Sequence, residues 1–297
     1  MTSGGFDYLE VRLTCHPDAS EALMNYLWEA GALGVVEAEE LRAFFPPIES
    51  LEGIREKLVT YLHSLEALGL PGALGPVELG RLTDSAWGEA WQIHFRPFRV
   101  GRFWITPPWE RPRLGDGECV IQINPGRAFG TGQHETTQAC LRLLDDLLRG
   151  ARPTRALDIG TGSGILAIAA VGLGIPECLA VDLDPDAVAA ARENVHLNQV
   201  DHKVRVALAS AENLEELPFA LILANLLTET HQTLLPLYPR LLSPGGQVIL
   251  GGILAVEGDQ LAAALRAGGL RVVERIEGAE WCAFRVERPC GPIPCPP

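Results

Sequence analysis

"RALDIGTGSGILAIAA", residues 155–170, decides the fold. A short apolar run that reads as a strand stops at Asp158-Ile159. Glycines follow at 160, 162 and 164, and an alanine- and isoleucine-rich helix begins at once. Glycine suits a turn where the backbone must approach a ligand closely and adopt positive φ. Twenty-two residues past Gly160, the next apolar run, "CLAVD", closes on Asp182. Strand, glycine turn, helix and a second strand ending in an acid form the first unit of a doubly wound, mostly parallel α/β sheet.

The alternation continues outward in both directions. Before the unit comes the helix "ETTQACLRLLDDLLRG". After it come helix "PDAVAAARENVHLNQ", strand "KVRVAL", strand "FALILAN" and a helix around "TETHQTLLPLYPRLL". The turn "SPGG", strand "QVILGGI", helix "EGDQLAAALRAGG" and strands "LRVVERIE" and "WCAFRVE" complete the series. Ligands of such sheets bind outside the carboxyl ends of the strands. Asp158, Asp182 and Asn225, at the tip of "FALILAN", all lie at such ends.

The glycine spacing narrows the ligand. A dinucleotide fingerprint runs G-x-G-x-x-G, whereas Gly160, Gly162 and Gly164 run G-x-G-x-G, with Asp158 two residues ahead. That acid repels a pyrophosphate and attracts a cationic amino-acid end bearing an ammonium and a sulfonium. This is the pattern of S-adenosylmethionine enzymes. Asp182 stands where a carboxylate accepts both ribose hydroxyls. Asn225 can accept from an amine and donate to a carbonyl or ring nitrogen, so cofactor, target amine and helix cap are all open to it.

A near copy of the glycine turn, "GRAFGTGQHETT" (126–137), runs directly into the helix that begins near Glu135. Two such turns cannot open one cradle, so the second reads as the cradle and the first as a lid over the methionine end. Thr136 and Thr137 are placed to bond the cofactor or cap the helix. His134 is a candidate to orient or deprotonate a substrate amine, with a purely structural role as its alternative.

Residues 1–81 read as a separate α+β domain. "FDYLEVRL", a helix from "DASEALMNYLWEAG" capped by Asp18 or Ser20 and stopped at Gly31, "ALGVVEAEE", "LRAFFPP", a second helix to Gly69 and "ALGPVELGRL" give a βαββαβ order, as in a ferredoxin-like sandwich. It contains no catalytic constellation, so recognition or docking is its expected task. A linker (82–118) follows, with a short helix that sets Trp87 and Trp91 on one face and also carries His94. The sheet domain is expected over 119–288 and a flexible proline-cysteine tail over 289–297.

Composition limits the function further. Net charge is −14, which opposes a broad nucleic-acid-binding surface and favours encounter with a basic partner. No signal peptide is expected in "MTSGGFDYLE", and no apolar run reaches membrane-spanning length. The seven cysteines include no C-x-x-C pair, so neither a metal site nor a redox motif is expected, and a reducing, cytoplasmic setting is.

The strings "NPGRAFGTGQHETT", "DIGTGSGILAIAA", "VDLDPDAV", "LILANLL" and "GGILAVEGDQL", with the linker "WGEAWQIHFRPFRVGRFWITPPWE", resemble the ribosomal protein L-11 methyltransferases (PrmA). Arg127 departs from the pattern, standing where an apolar residue is expected. The resemblance implies a class I S-adenosylmethionine-dependent methyltransferase. Its substrate would be a basic large-subunit ribosomal protein of the L-11 type, methylated on lysine ε-amines and the N-terminal α-amine. It further implies that the N-terminal domain captures that substrate, and that Thr137, Gly160, Asp182 and Asn225 contact the cofactor. Two alternatives stay open from the residues: a lysine methyltransferase for another protein, and a nucleotide-dependent dehydrogenase or binding module.

Overall fold

The computed structural model describes residues 8–32, 34–37, 40–45, 50–67, 75–82, 96–124, 132–215 and 218–291. The first half of the expected lid (126–131 of 126–137), Trp87, Trp91, His94 and Cys295 lie outside them. The chain divides into two compact units, Met1–Arg96 and Pro97–Pro297.

In the first unit, β1 (Tyr8–Leu13), α1 (Pro17–Glu29), β2 (Gly34–Glu37), β3 (Leu41–Phe45), α2 (Leu51–Ala67) and β4 (Glu78–Leu82) follow one another. Its antiparallel sheet runs β2-β3-β1-β4. Leu9, Val11 and Leu13 bury one face of β1 against Leu23 and Leu27 of α1 and Leu58, Leu62 and Leu65 of α2. The helix start differs from expectation. Pro17 opens α1, putting Asp18 and Ser20 inside the first turn, because proline needs no N–H there. Its end matches: Gly31 takes φ +94°, and the Ala32 N–H closes on the Leu27 carbonyl.

The second unit begins earlier than 119. The strands β5 (Phe98–Val100), β6 (Phe103–Thr106) and β7 (Cys119–Gln122) form a small sheet. Val100, Phe103 and Ile105 are buried in the same core as the main helices. Arg102, from the turn between β5 and β6, pairs with buried Asp145, fastening this sheet to α3 (Glu135–Gly150). Residues 97–118, expected in the linker, therefore pack as part of the larger unit.

The main sheet has seven strands in the order β10-β9-β8-β11-β12-β14-β13. They are β8 (Arg155–Ile159), β9 (Glu177–Asp182), β10 (Val204–Leu208), β11 (Phe219–Asn225), β12 (Leu242–Leu254), β13 (Arg271–Glu277) and β14 (Trp281–Glu287). The first five are parallel and β14 runs antiparallel to both its neighbours. Period-two alternation assigns the faces. Ala156, Cys178, Ala180, Leu221, Leu223 and Ile249 face α3, α4 (Ile165–Gly172) and α5 (Pro185–Leu197). Leu157, Leu179, Ile222, Val248 and Leu250 face α6 (Thr228–Leu234), α7 (Tyr238–Leu241) and α8 (Gly258–Ala267). The helix expected around "TETHQTLLPLYPRLL" is broken into α6 and α7, because Pro236 between them lacks an N–H. Among the described residues no helix is long and apolar enough to cross a membrane.

Candidate active site

Strand order puts the switch point between β8 and β11, since the chain leaves β8 towards β9 and returns on its other side. The registers then align the candidate residues. Ile159 pairs with Val181 on one side and Ala224 on the other, so one step further Gly160 sits between Asp182 and Asn225. Asn225 in turn pairs with Gly251. By the same alternation, Asp158, Asp182 and Asn225 project to the face covered by α3 and α4.

The glycine turn is built as the sequence implies. Gly160, Gly162 and Gly164 take φ of +66°, +53° and +83°. At Gly160 the backbone conformation favours glycine, and a side chain there would also have to displace the end of Leu226. Asp182 holds the turn open: its Oδ2 accepts the Gly162 N–H at 2.9 Å and its Oδ1 the Asp184 N–H at 3.1 Å. Each oxygen keeps a second lone pair, so two ribose hydroxyls can still be accepted.

Asp158 works from beneath. Only 1% exposed, its Oδ2 accepts the Thr161 hydroxyl at 2.6 Å and the Ala167 N–H at 3.2 Å, tying the turn to the first residues of α4. Burial pushes its pKa up to about 7, the two hydrogen bonds oppose the rise, and the Asp182 charge adds to it. It is a carboxyl poised to ionise when a cation arrives.

Asn225 donates from Nδ2 to Thr137 Oγ1 at 3.2 Å, joining the β11 tip to the first turn of α3. Its Oδ1 is buried without a hydrogen-bond partner among the described residues. An unpaired buried carbonyl costs about 1–3 kcal/mol, and a site that binds an amine recovers that loss. Gly251 is required beside it, because a Cβ there would lie 2.8 Å from Asn225 Oδ1 and collide with Cys140.

His134 is exposed and caps α3: Nδ1 accepts the Thr136 N–H at 3.3 Å and lies 2.8 Å from Thr136 Oγ1. Its ring meets Trp281 edge-on at 5.4 Å. Desolvation lowers its pKa against the pull of Glu135 and Glu280. Of the two threonines, Thr136 joins the cap and Thr137 reaches Asn225.

Sequence reasoning missed two groups. Asn194 of α5 and Asn198, the C-cap one turn on, bind the strand leading towards residue 125. Asn194 accepts the Asn124 N–H at 2.8 Å and donates to the Ser163 carbonyl at 2.8 Å, bridging that strand to the glycine turn. Asn198 binds both backbone groups of Gln122. The i, i+4 asparagines were the available signal. The other group is His231 with Tyr238, both fully buried behind Gly251.

The residues fit S-adenosylmethionine: a positive-φ turn, a carboxylate at the ribose position, a buried acid beneath the turn and an amide oxygen unpartnered among the described residues meet its donor and acceptor chemistry. The family model for ribosomal protein L11 methyltransferase (PrmA) matches residues 7–289. A ribosomal protein L11 methyltransferase of Symbiobacterium thermophilum is 36% identical, aligned over 95% of this chain and 99% of its own. One from Citrifermentans bemidjiense is 38% identical over 84% and 83%. The crystal structure of the ribosomal protein L11 methylase from Lactobacillus delbrueckii subsp. bulgaricus aligns with a TM-score of 0.61 at 30% identity, over 66% of this chain and 100% of that one. The chain belongs to the ribosomal protein L11 methyltransferase family, and its larger unit has the class I methyltransferase fold.

Proposed function

We propose that this chain transfers methyl groups from S-adenosylmethionine to amino groups of ribosomal protein L11, on lysine side chains and the N-terminal α-amine. The observation that carries the reading is the single row Asp182, Gly160, Asn225 across three adjoining strand tips, ending in a buried amide oxygen without a partner among the described residues. The names of the relatives supply the protein substrate, and the net charge of −14 favours a basic partner over nucleic acid. Family membership speaks against the dehydrogenase alternative.

The cofactor supplies an already activated methyl group. The turn Gly160–Gly164 and Asp182 would hold its nucleoside, and Asp158 the charge of its amino-acid end, with Thr137 and Asn225 closing the acceptor side. The chain must present a neutral amine in line with that methyl. A lysine of pKa about 10.4 costs roughly 4–5 kcal/mol to deprotonate at pH 7, at 1.36 kcal/mol per unit, and a desolvated site lowers that cost. Asn225 Oδ1 accepts one amine N–H and so aims the lone pair. His134, occupied in capping α3, is the weaker candidate for contact with the amine. The N-terminal unit selects the substrate, in a cytoplasmic setting.

Intact-mass spectrometry of L11 incubated with the chain and S-adenosylmethionine tests the reading. Mass gains in whole methyl steps, mapped to lysines and the N-terminus and absent in Asp182→Ala, are expected. No gain, with cofactor binding intact by calorimetry, moves the substrate to another protein. Asn225→Ala should lower methyl transfer far more than cofactor affinity; equal losses would remove Asn225 from the amine site.

A further inference from the structure

The methyl-transfer reading leaves the buried pair His231 and Tyr238 unused. His231 of α6 is 0% exposed, as is Tyr238 of α7. His231 Nε2 lies 2.8 Å from the Gly251 carbonyl oxygen, and Nδ1 lies 2.8 Å from the Tyr238 hydroxyl. A carbonyl only accepts, so Nε2 carries the proton. In a neutral ring Nδ1 is then the acceptor and Tyr238 the donor. Burial lowers the His231 pKa to about 4, consistent with a neutral ring.

What the imidazole holds is a soft place in the sheet. Leu250 pairs with Phe284 and Ile253 with Cys282, so Gly251 and Gly252 face a single residue of β14 and the ladder on that side is interrupted. Bulges of this kind re-aim neighbouring groups. The Gly251 carbonyl also accepts the N–H of Leu226 at 3.1 Å, the residue that follows Asn225. A single carbonyl therefore ties His231, the bulge and the β11 tip together, and Gly251 in turn backs against Asn225 Oδ1.

We propose that His231, oriented by Tyr238, is a positioning residue for methyl transfer: it pins the Gly251–Gly252 bulge and so sets where the Asn225 amide oxygen stands. The inference rests on the reading of Asn225 as the amine-aiming group. The Gly251 bulge adjoins Asn225 at the acceptor end of the row, and His231 is hydrogen-bonded to Gly251 and Tyr238, so its loss should disturb the amine more than the cofactor turn after β8.

Three variants of the full chain test it: His231→Phe, which keeps ring volume but loses both nitrogens, His231→Gln, whose amide N–H reaches the position of Nε2, and Tyr238→Phe. In His231→Phe, kcat should fall about tenfold to a hundredfold, the scale of an ångström-level misplacement. KM and the S-adenosylmethionine Kd should stay within about twofold. His231→Gln should recover most of the rate, and Tyr238→Phe should fall between. Long-range ¹H–¹⁵N spectra of the wild-type imidazole should show the Nε2–H tautomer from pH 5.5 to 8. Unchanged kcat in His231→Phe, equal loss of rate and cofactor affinity, no recovery in His231→Gln, or an Nδ1–H tautomer would each overturn the proposal. Should His231→Phe not fold, the Gln and Tyr238→Phe variants and the tautomer decide. A wild-type chain inactive on L11 would refute the substrate reading instead, and the tautomer would still report on the His231 geometry.

Discussion

Asp158→Asn separates what this buried acid costs the fold from what it gives the cofactor. In the cofactor-free chain its pKa rises from 3.8 to about 7, chiefly through burial under α4. A difference of about three pH units is worth roughly 4 kcal/mol. The folded-state pKa lies above the unfolded one, so the stabilising contribution is full below pH 3.8 and is lost as pH rises through 7. Asparagine keeps an acceptor for the Thr161 hydroxyl and the Ala167 N–H but cannot ionise. Relative to wild type, Asp158→Asn should gain about 4 kcal/mol of stability between pH 3.5 and pH 8, as the ionisation penalty accumulates in wild type alone. Denaturant midpoints of both proteins across that range, without cofactor, read the difference directly. Binding should behave in the opposite sense. A cationic ligand favours the carboxylate, so wild-type affinity for S-adenosylmethionine should rise roughly fifteenfold from pH 5.5 to 7, with proton release visible by calorimetry in two buffers. That window stays below the ligand's own α-amine pKa of about 8. Asp158→Asn should bind more weakly and with no such slope. A wild-type affinity flat over this window, or a variant whose stability tracks wild type at every pH, would refute the argument.

Asp182→Ala removes the acceptor for the Gly162 N–H as well as for the ribose, and calorimetry should show at least a tenfold loss of cofactor affinity, from hydrogen bonds to a charge of about 1.5–3 kcal/mol each. Gly251→Ala forces a Cβ against Asn225 Oδ1 and Cys140; thermal unfolding should report a loss of about 1–3 kcal/mol, and methyl transfer should fall beyond what the lost stability explains. For His231 the folded pKa of about 4 lies below the ordinary 6.5, so its contribution is present above pH 6.5 and lost as pH falls through 4, a change of roughly 3 kcal/mol that His231→Gln should abolish in acid-denaturation curves.

Most of the candidate site was legible because its residues end strands. "RALDI", "FALILAN" and "WCAFRVE" match β8, β11 and β14 residue for residue, since each apolar run meets a glycine, proline or charged residue at one end or both. Asp182 and Asn225 could be found for the same reason. Their function, however, depends on lateral neighbours. That Gly160 lies between them follows from strand order, and a sequence read along one chain does not state which strands pair. The early boundary of the second unit was hidden similarly: β5 is only three residues long, and its membership rests on contacts with residues in α3. His231 was obscured by its setting, a lone histidine in a leucine-rich stretch that periodicity assigns simply to a buried helix face. Only its partners, the Gly251 carbonyl and the Tyr238 hydroxyl, give it a task.

The two buried titratable groups impose opposite pH slopes on one sheet edge. From pH 4 to 6.5, rising pH favours the unfolded chain, whose Asp158 ionises while the folded one stays largely protonated, and over the same interval it favours the folded chain, whose His231 is already neutral while the unfolded one still binds a proton. Each slope is about 1.36 kcal/mol per pH unit, so in the wild-type chain they largely cancel. Replacing either group uncovers the other: stability should rise with pH across this window in Asp158→Asn and fall in His231→Gln. The contributions of these two groups should therefore offset each other in the wild-type chain, and the balance should break if a bound cation ionises Asp158.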